Sequence, residues 1–244
     1  MGGYGALEAA SQRMRILNAE YLTTVVNPES RKCGDIPEIC FIGRSNVGKS
    51  SLINKLVMQK VARTSSTPGA TKAINLYRVF YEFNGLRKWA IFSDFPGFGY
   101  SKVAKSTYRG WEAMIDRYIS GNASIQRLVW AFDIRRDPDT LDRTVLEWIR
   151  FSRLPFSLVL TKSDKEGRGF GLSKRELYYK EFETKDVFLF SAKDGFGRKE
   201  LLTHIAQYAG LLPVQICGKP NVDAHFHTLH PQPGPKKKAC KLSI

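Results

Sequence analysis

"GRSNVGKSS", Gly43–Ser51, stands between the apolar run "EICFIG" and the helical pattern "SSLINKLV". It fits G-x-x-x-x-G-K-[ST], the phosphate-binding loop that joins a strand to a helix. Gly43 and Gly48 permit a turn that a side chain would obstruct, and the turn aims several backbone N–H groups at one point. The helix that follows brings its positive dipole end to the same point. Lys49 can reach the β- and γ-phosphates, and Ser50 offers a hydroxyl to Mg²⁺. The binding residues expected here are Gly43, Arg44, Ser45, Asn46, Val47, Gly48, Lys49 and Ser50. A chance glycine–lysine turn would not need the strand before it and the helix after it.

Working outward, "AINLYRVFYEFNGLRKWAIFSD" is two β-rich runs split by Asn84-Gly85, the strongest short hairpin signal. "RLVWAFDI", "FSLVLTKSD" and "DVFLFSA" are further buried-strand candidates. "DPDTLDRTVLEWIRF" is a helix with Pro138 at an early helical position, and "RKELLTHIAQYAG" is a last helix closed by Gly210. Leu7, Ala10, Met14, Leu17 and Tyr21 recur at helical spacing and predict an opening amphipathic helix. Trp130 and Trp148 lie on apolar patterns and are expected in the core. Strands alternating with helices predict a three-layer α/β sandwich around a mostly parallel, six-stranded sheet with one antiparallel edge hairpin.

The base can be inferred from three later stretches. "DFPG" ends the second hairpin strand, so Asp94 can hold Mg²⁺ through water and the Gly97 N–H can meet a γ-phosphate; Phe95 and Pro96 lie between them. "TKSD", Thr161, Lys162, Ser163 and Asp164, ends another strand. A carboxylate there accepts two hydrogen bonds from guanine N1–H and N2–H₂, whereas adenine would leave it unpaired. The Lys162 stem can lie across the base. Phe190, Ser191 and Ala192 end the next strand, where a backbone N–H can meet the guanine oxygen. Ligands of such sheets bind at these strand ends, so the order of the four motifs predicts GTP and GDP as ligands.

The chain has 244 residues and a formal net charge of +15, which attracts polyanions, nucleic acid first and an anionic membrane surface second. From Pro213 onward the chain is proline-rich without periodicity and holds five lysines against one aspartate, which predicts a disordered basic tail. Most of the positive charge therefore stays outside the tail. Cys33, Cys40, Cys217 and Cys240 form no C-x-x-C pair, Glu8, Arg13, Arg15 and Glu20 interrupt any signal core, and Cys240 is one place too far from the end for prenylation. No apolar run approaches the roughly 20 residues that span a bilayer. The expectation is a cytoplasmic monomer with reduced thiols and no stable membrane insertion. His225, His227 and His230 sit in the tail with nothing to orient them as metal ligands.

"GRSNVGKSSLIN", "TSSTPGATKAINLY", "DFPGFGYSKV", "FDIRRDPDTLD", "TKSDK" and "FSAKDGFG" together resemble the EngB (also called YihA or YsxC) family of ribosome-assembly GTPases. The likeness spans roughly Leu17 to Leu212 by motif order. It implies a P-loop GTPase fold and a P-G-x-T switch segment, Gly69, Ala70, Thr71, Lys72 and Ala73, in which Thr71 joins Ser50 as a Mg²⁺ ligand in the GTP state. Lys72 stands where the family usually has glutamine, and Ile74 and Leu76 vary the usual flank. The likeness divides the chain into residues 1–36, an N-terminal helix and lead-in, 37–212, the GTPase domain, and 213–244, the tail. It implies the ribosomal large subunit or its precursor as partner.

The residues expected to act on the reaction are Lys49, Thr71, Gly97 and Asn46. Many GTPases place a water-orienting glutamine just after D-x-x-G, and here that place is Phe98, so the intrinsic rate is expected to be slow, on the order of 10⁻⁴ to 10⁻² s⁻¹. GTPases similar in this respect use a P-loop asparagine to help hold K⁺ against the phosphates. For Asn46 that role and a loop-closing hydrogen bond stand equal. Arg135 and Arg136 are open to a finger role, to solvent or to an anionic partner. Tyr100, Lys102, Lys105, Tyr108 and Arg109 interleave aromatics with cations past D-x-x-G, either as an RNA surface or as a solvated loop. Two other readings remain: a membrane-surface switch tethered by the lysine tail, and a module that holds GTP without turning it over.

Overall fold

A buried apolar run without alternation is what a central parallel strand requires, and β2 (Glu38–Gly43) is buried at all six positions. The computed structural model describes residues 14–28, 34–64, 73–99 and 105–209, with side chains undescribed at 105–112 and 168. Seven strands form one sheet in the order β1-β3-β4-β2-β5-β6-β7. β2 is parallel to both of its neighbours, β4 (Leu86–Asp94) and β5 (Ile125–Asp133), and β6 (Phe156–Thr161) and β7 (Val187–Leu189) continue the parallel side. Strand order reverses at β2, so the crevice at its carboxyl end is the switch point where such sheets bind ligands.

Helices cover both faces. On one face α1 (Lys49–Val57) and α5 (Arg198–Tyr208) bury Leu52, Ile53, Leu56, Leu201 and Ile205 against Ile39, Phe41 and Phe92. On the other, α2 (Lys105–Ser120), α3 (Thr140–Ser152) and α4 (Arg168–Glu181) pack Ile115, Trp148, Ile149 and Tyr178 onto Leu128, Trp130 and Phe132. Trp130 and Trp148 are core residues, 0% and 2% exposed. Arg198 donates to the carbonyls of Lys55 and Leu56 at 2.9 and 3.0 Å, satisfying acceptors that the end of α1 leaves without an intrahelical partner.

The β3 (Ile74–Phe83) to β4 hairpin turns at Asn84 and Gly85, both at positive φ (51° and 75°), as a two-residue hairpin loop with the strand twist demands. The opening segment departs from expectation. Leu17 and Tyr21 belong not to a helix but to β1 (Arg15–Val25), with Met14 just ahead of it, and β1 pairs antiparallel with β3. Among the described residues the sheet therefore has seven strands rather than six, and β1 joins the lead-in to the sheet. Register shifts between Ile16 and Asn18 and between Tyr21 and Thr23 break the two-residue alternation, so the apolar residues imitate helical spacing. The open edge of β3 supplies the hydrogen-bond partners that decide for strand. Leu7 and Ala10 lie outside the described residues.

Two helices, α2 and α4, had no expectation. Lys105, Tyr108 and Arg109 lie on the backbone of α2, not in a loop, while Tyr100 and Lys102 fall outside the described residues. Helix α3 starts later than its proline suggested: Asp139 is the N-cap and Pro138 precedes it. Gly210 and the tail with its three histidines are outside the described residues.

Candidate nucleotide-binding site

The carboxyl ends of β2, β4, β6 and β7 bring the four motifs together. Gly48 is the N-cap of α1 at φ 100°, a conformation open to glycine and costly for a residue with a Cβ, and no side chain caps the helix there. The first-turn N–H groups of α1 are thus left for an anion. Gly97 approaches the same loop closely: a Cβ at this position would lie 2.8 Å from Ser45 N and Cα. Ser45 N donates to Phe98 O at 3.1 Å and Ser45 Oγ to Gly97 O at 3.3 Å, so the D-x-x-G loop is stitched to the phosphate loop.

Under this loop Lys49 is 8% exposed, with Nζ 3.9 Å from Asp94 Oδ1. Burial pulls the ammonium pKa down and Asp94 acts against that pull; burial likewise raises the Asp94 carboxyl against Lys49 and Ser50. Ser50 Oγ donates to Asp94 Oδ2 at 2.9 Å, and Asp94 Oδ1 is buried with no hydrogen-bond partner. A hydroxyl and an under-satisfied carboxylate oxygen side by side are hard oxygen donors, and they fit Mg²⁺. Thr71, the third expected ligand, lies outside the described residues with Gly69, Ala70 and Lys72, while Ala73 leads into β3.

On the base side, Asp164 Oδ1 accepts from Ser191 Oγ at 3.0 Å, and Ser191 is fully buried. Ser163 N donates to Phe190 O at 3.2 Å, which joins the two base-side loops. Thr161 Oγ1 donates to Val47 O at 2.8 Å, tying "TKSD" to the phosphate loop. Lys162 Nζ donates to Asn46 O and to Asp133 Oδ2, each at 2.9 Å, which stretches its stem between β6 and the loop. Asn46 is exposed at φ 62°, a left-handed conformation that asparagine tolerates; the loop-closing bond is made by its carbonyl.

Several partners escaped the sequence. Asp133 receives Arg135 through Nε at 2.9 Å and NH2 at 2.7 Å as well as Lys162. Burial opposes its charge, but Arg135 and Lys162 outweigh burial and hold the carboxyl well below the usual range. Arg135 is therefore engaged with Asp133, though its side chain stays largely exposed, and Arg136 pairs with Asp139 and Asp142. The Arg44 side chain turns to α3 rather than to the phosphates, so only its backbone belongs to the loop. Phe98 is 2% exposed and packs in the core. A cleft of about 1300 Å³ runs along α1 to Ala192 and Lys193; Lys55, Lys60 and Arg63 also line it, with no carboxylate among its described lining residues.

The family model described as "50S ribosome-binding GTPase" matches residues 38–162. A "Probable GTP-binding protein EngB" of Syntrophus aciditrophicus is 37% identical over 199 residues, covering 81% of this chain and 98% of that protein. The protein of the same name in Geobacter sulfurreducens is 43% identical over 153 residues, 62% of this chain and 71% of that one. The crystal structure of a probable GTP-binding protein engB is 26% identical with a TM-score of 0.54, over 70% of this chain and 98% of that one. Aquifex aeolicus Era bound to GDP and AlF4⁻, 21% identical with a TM-score of 0.57 over 72% of this chain and 61% of that one, shares the fold. Likeness over nearly the whole of the Syntrophus protein, with the P-loop fold beneath it, means that the chain belongs to the EngB family of GTP-binding proteins.

Proposed function

We propose that this GTPase is a slow guanine-nucleotide switch whose GTP state binds the ribosomal large subunit or its precursor. The cleft that begins at Ala192 of the base-side loop carries the reading, because it gathers Lys55, Lys60, Arg63 and Lys193 with no carboxylate among its described lining residues. The four cations attract a polyanion there, and the family's description as ribosome-binding supplies the class of polyanion. Ser50, Asp94 through water, and Thr71 would hold Mg²⁺, which neutralises developing phosphate charge when bound. Lys49 faces the β- and γ-phosphates. Asp164, oriented by Ser191, accepts the guanine edge. The backbone N–H of Gly97 faces the γ-phosphate and reports its presence to the loop beyond.

The test is co-sedimentation with purified large subunits across a salt series, with GDP and with a non-hydrolysable GTP analogue. Binding is expected in the GTP state and should weaken steeply with salt, by about one unit or slightly less of log–log slope for each phosphate neutralised. Deletion from Pro220 should lower the slope and leave the GTP preference intact. Equal binding in both nucleotide states, or indifference to salt, would refute the switch.

A second reading, a module that holds GTP without turning it over, is favoured by the burial of Phe98 where a water-orienting glutamine would stand. Turnover measured with and without ribosomes separates the two. Potassium enters the same measurement. If Asn46 helps place K⁺, replacing KCl by NaCl at equal ionic strength slows hydrolysis severalfold and Asn46→Ala removes the difference. Equal rates in the two salts leave Asn46 with its backbone role alone.

A further inference from the structure

"RRDPDTLD", Arg135–Asp142, suggests no chemistry by its sequence alone, yet it meets the phosphate loop across the fold. Asp139 caps α3 by accepting from Leu141 N and Asp142 N at 2.9 and 3.2 Å, and Asp142 Oδ2 in turn accepts from Asp139 N at 3.1 Å. This capping box is complete without an arginine. Asp142 is nonetheless fully buried, and a buried carboxylate without a counter-charge is costly. Two arginines supply the charge, Arg136 at 3.5 Å from Asp142 Oδ2 and, in closer bidentate form, Arg44: Nε lies 3.0 Å from Asp142 Oδ1 and NH2 3.3 Å from Oδ2, with NH2 also paired to Asp139.

The backbone of Arg44 has a second attachment. It forms a parallel bridge with Phe98, whose N–H donates to Gly43 O at 3.3 Å. A Cβ on Gly99 would lie 3.4 Å from Arg44 NH1 and 3.1 Å from Leu141 Cδ2, so the guanidinium fills the angle between the D-x-x-G loop and α3. We propose that Arg44 is a positioning residue whose guanidinium, gripped by the Asp139–Asp142 capping box, holds the phosphate loop and the Phe98–Gly99 backbone in the arrangement that receives the nucleotide. The proposal rests on the nucleotide site described above. Its physical content is preorganisation: a loop held open by a rigid helix end loses less freedom when the phosphates arrive. A lysine cannot replace the fork, because it offers a point charge rather than two parallel N–H donors.

The experiment measures GDP release from the full chain by stopped-flow with a fluorescent GDP. Arg44→Ala and Arg44→Lys are expected to speed release about tenfold, as loss of a charge-assisted hydrogen bond implies. Saturating GDP should also raise the Tm of these variants by less than it raises the parent's. Val145→Ala, buried on the same helix, should lower Tm without changing the release rate. Release within twofold of the parent in both Arg44 variants overturns the proposal, as does equal acceleration by Val145→Ala, which would mean general loosening. Should the parent itself bind no guanine nucleotide, the site reading fails; normal parent binding with unaltered Arg44 variants refutes this inference alone.

Discussion

Asp164→Asn is expected to lower GTP affinity about a hundredfold and to raise affinity for xanthosine triphosphate. An ionised acceptor facing two donors contributes more than a neutral one, and one such hydrogen bond is worth about 1.5–3 kcal/mol. The asparagine amide replaces one acceptor oxygen with a donor, which opposes guanine N2–H₂ and matches the carbonyl of xanthine. The structure sharpens the expectation. Ser191 Oγ donates to Oδ1 at 3.0 Å, so the carboxylate is already oriented, and Asn46, Val47, Lys162 and Thr161 bind the adjoining loops to each other. The substitution therefore alters base choice rather than loop shape. Calorimetric titration of the variant with GTP and XTP checks it, and unchanged GTP affinity would remove Asp164 from the base site.

Lys49→Ala is expected to weaken GTP binding about a hundredfold, GDP binding less, and to abolish measurable hydrolysis. A buried ammonium whose pKa is pulled down by desolvation gains when more anions come near. Asp94, at 3.9 Å, only partly meets that need. The phosphates complete it, and the γ-phosphate adds the charge that distinguishes GTP from GDP. Removing the lysine also leaves the buried Asp94 carboxyl, already raised by burial, without its cation. The check is parallel titration with both nucleotides together with single-turnover hydrolysis. A variant that binds and hydrolyses GTP like the parent would contradict the phosphate-loop reading. Ser50→Ala should act differently, impairing binding only where Mg²⁺ is present.

The sequence by itself determined the positions of the motifs at the strand ends and the strands that lead to them. Gly48 must take a left-handed turn, β2 and β5 must be buried on both faces, and Asn84-Gly85 must reverse the chain; each requirement acts within a few residues and so leaves a local mark. Only the tertiary structure decided what lies far apart in sequence. Register shifts hid β1, whose pairing depends on β3 about sixty residues later. Arg44 looked like a phosphate-loop residue, but the direction of its side chain is set by a buried carboxylate 98 positions away. Arg135, open to several roles by sequence, pairs with Asp133, which also takes Lys162 from just past β6. Phe98 stands in a catalytic place by motif and in the core by packing. Backbone geometry is encoded locally, whereas the partner of a long charged or aromatic side chain is chosen by whichever buried group the fold brings beside it.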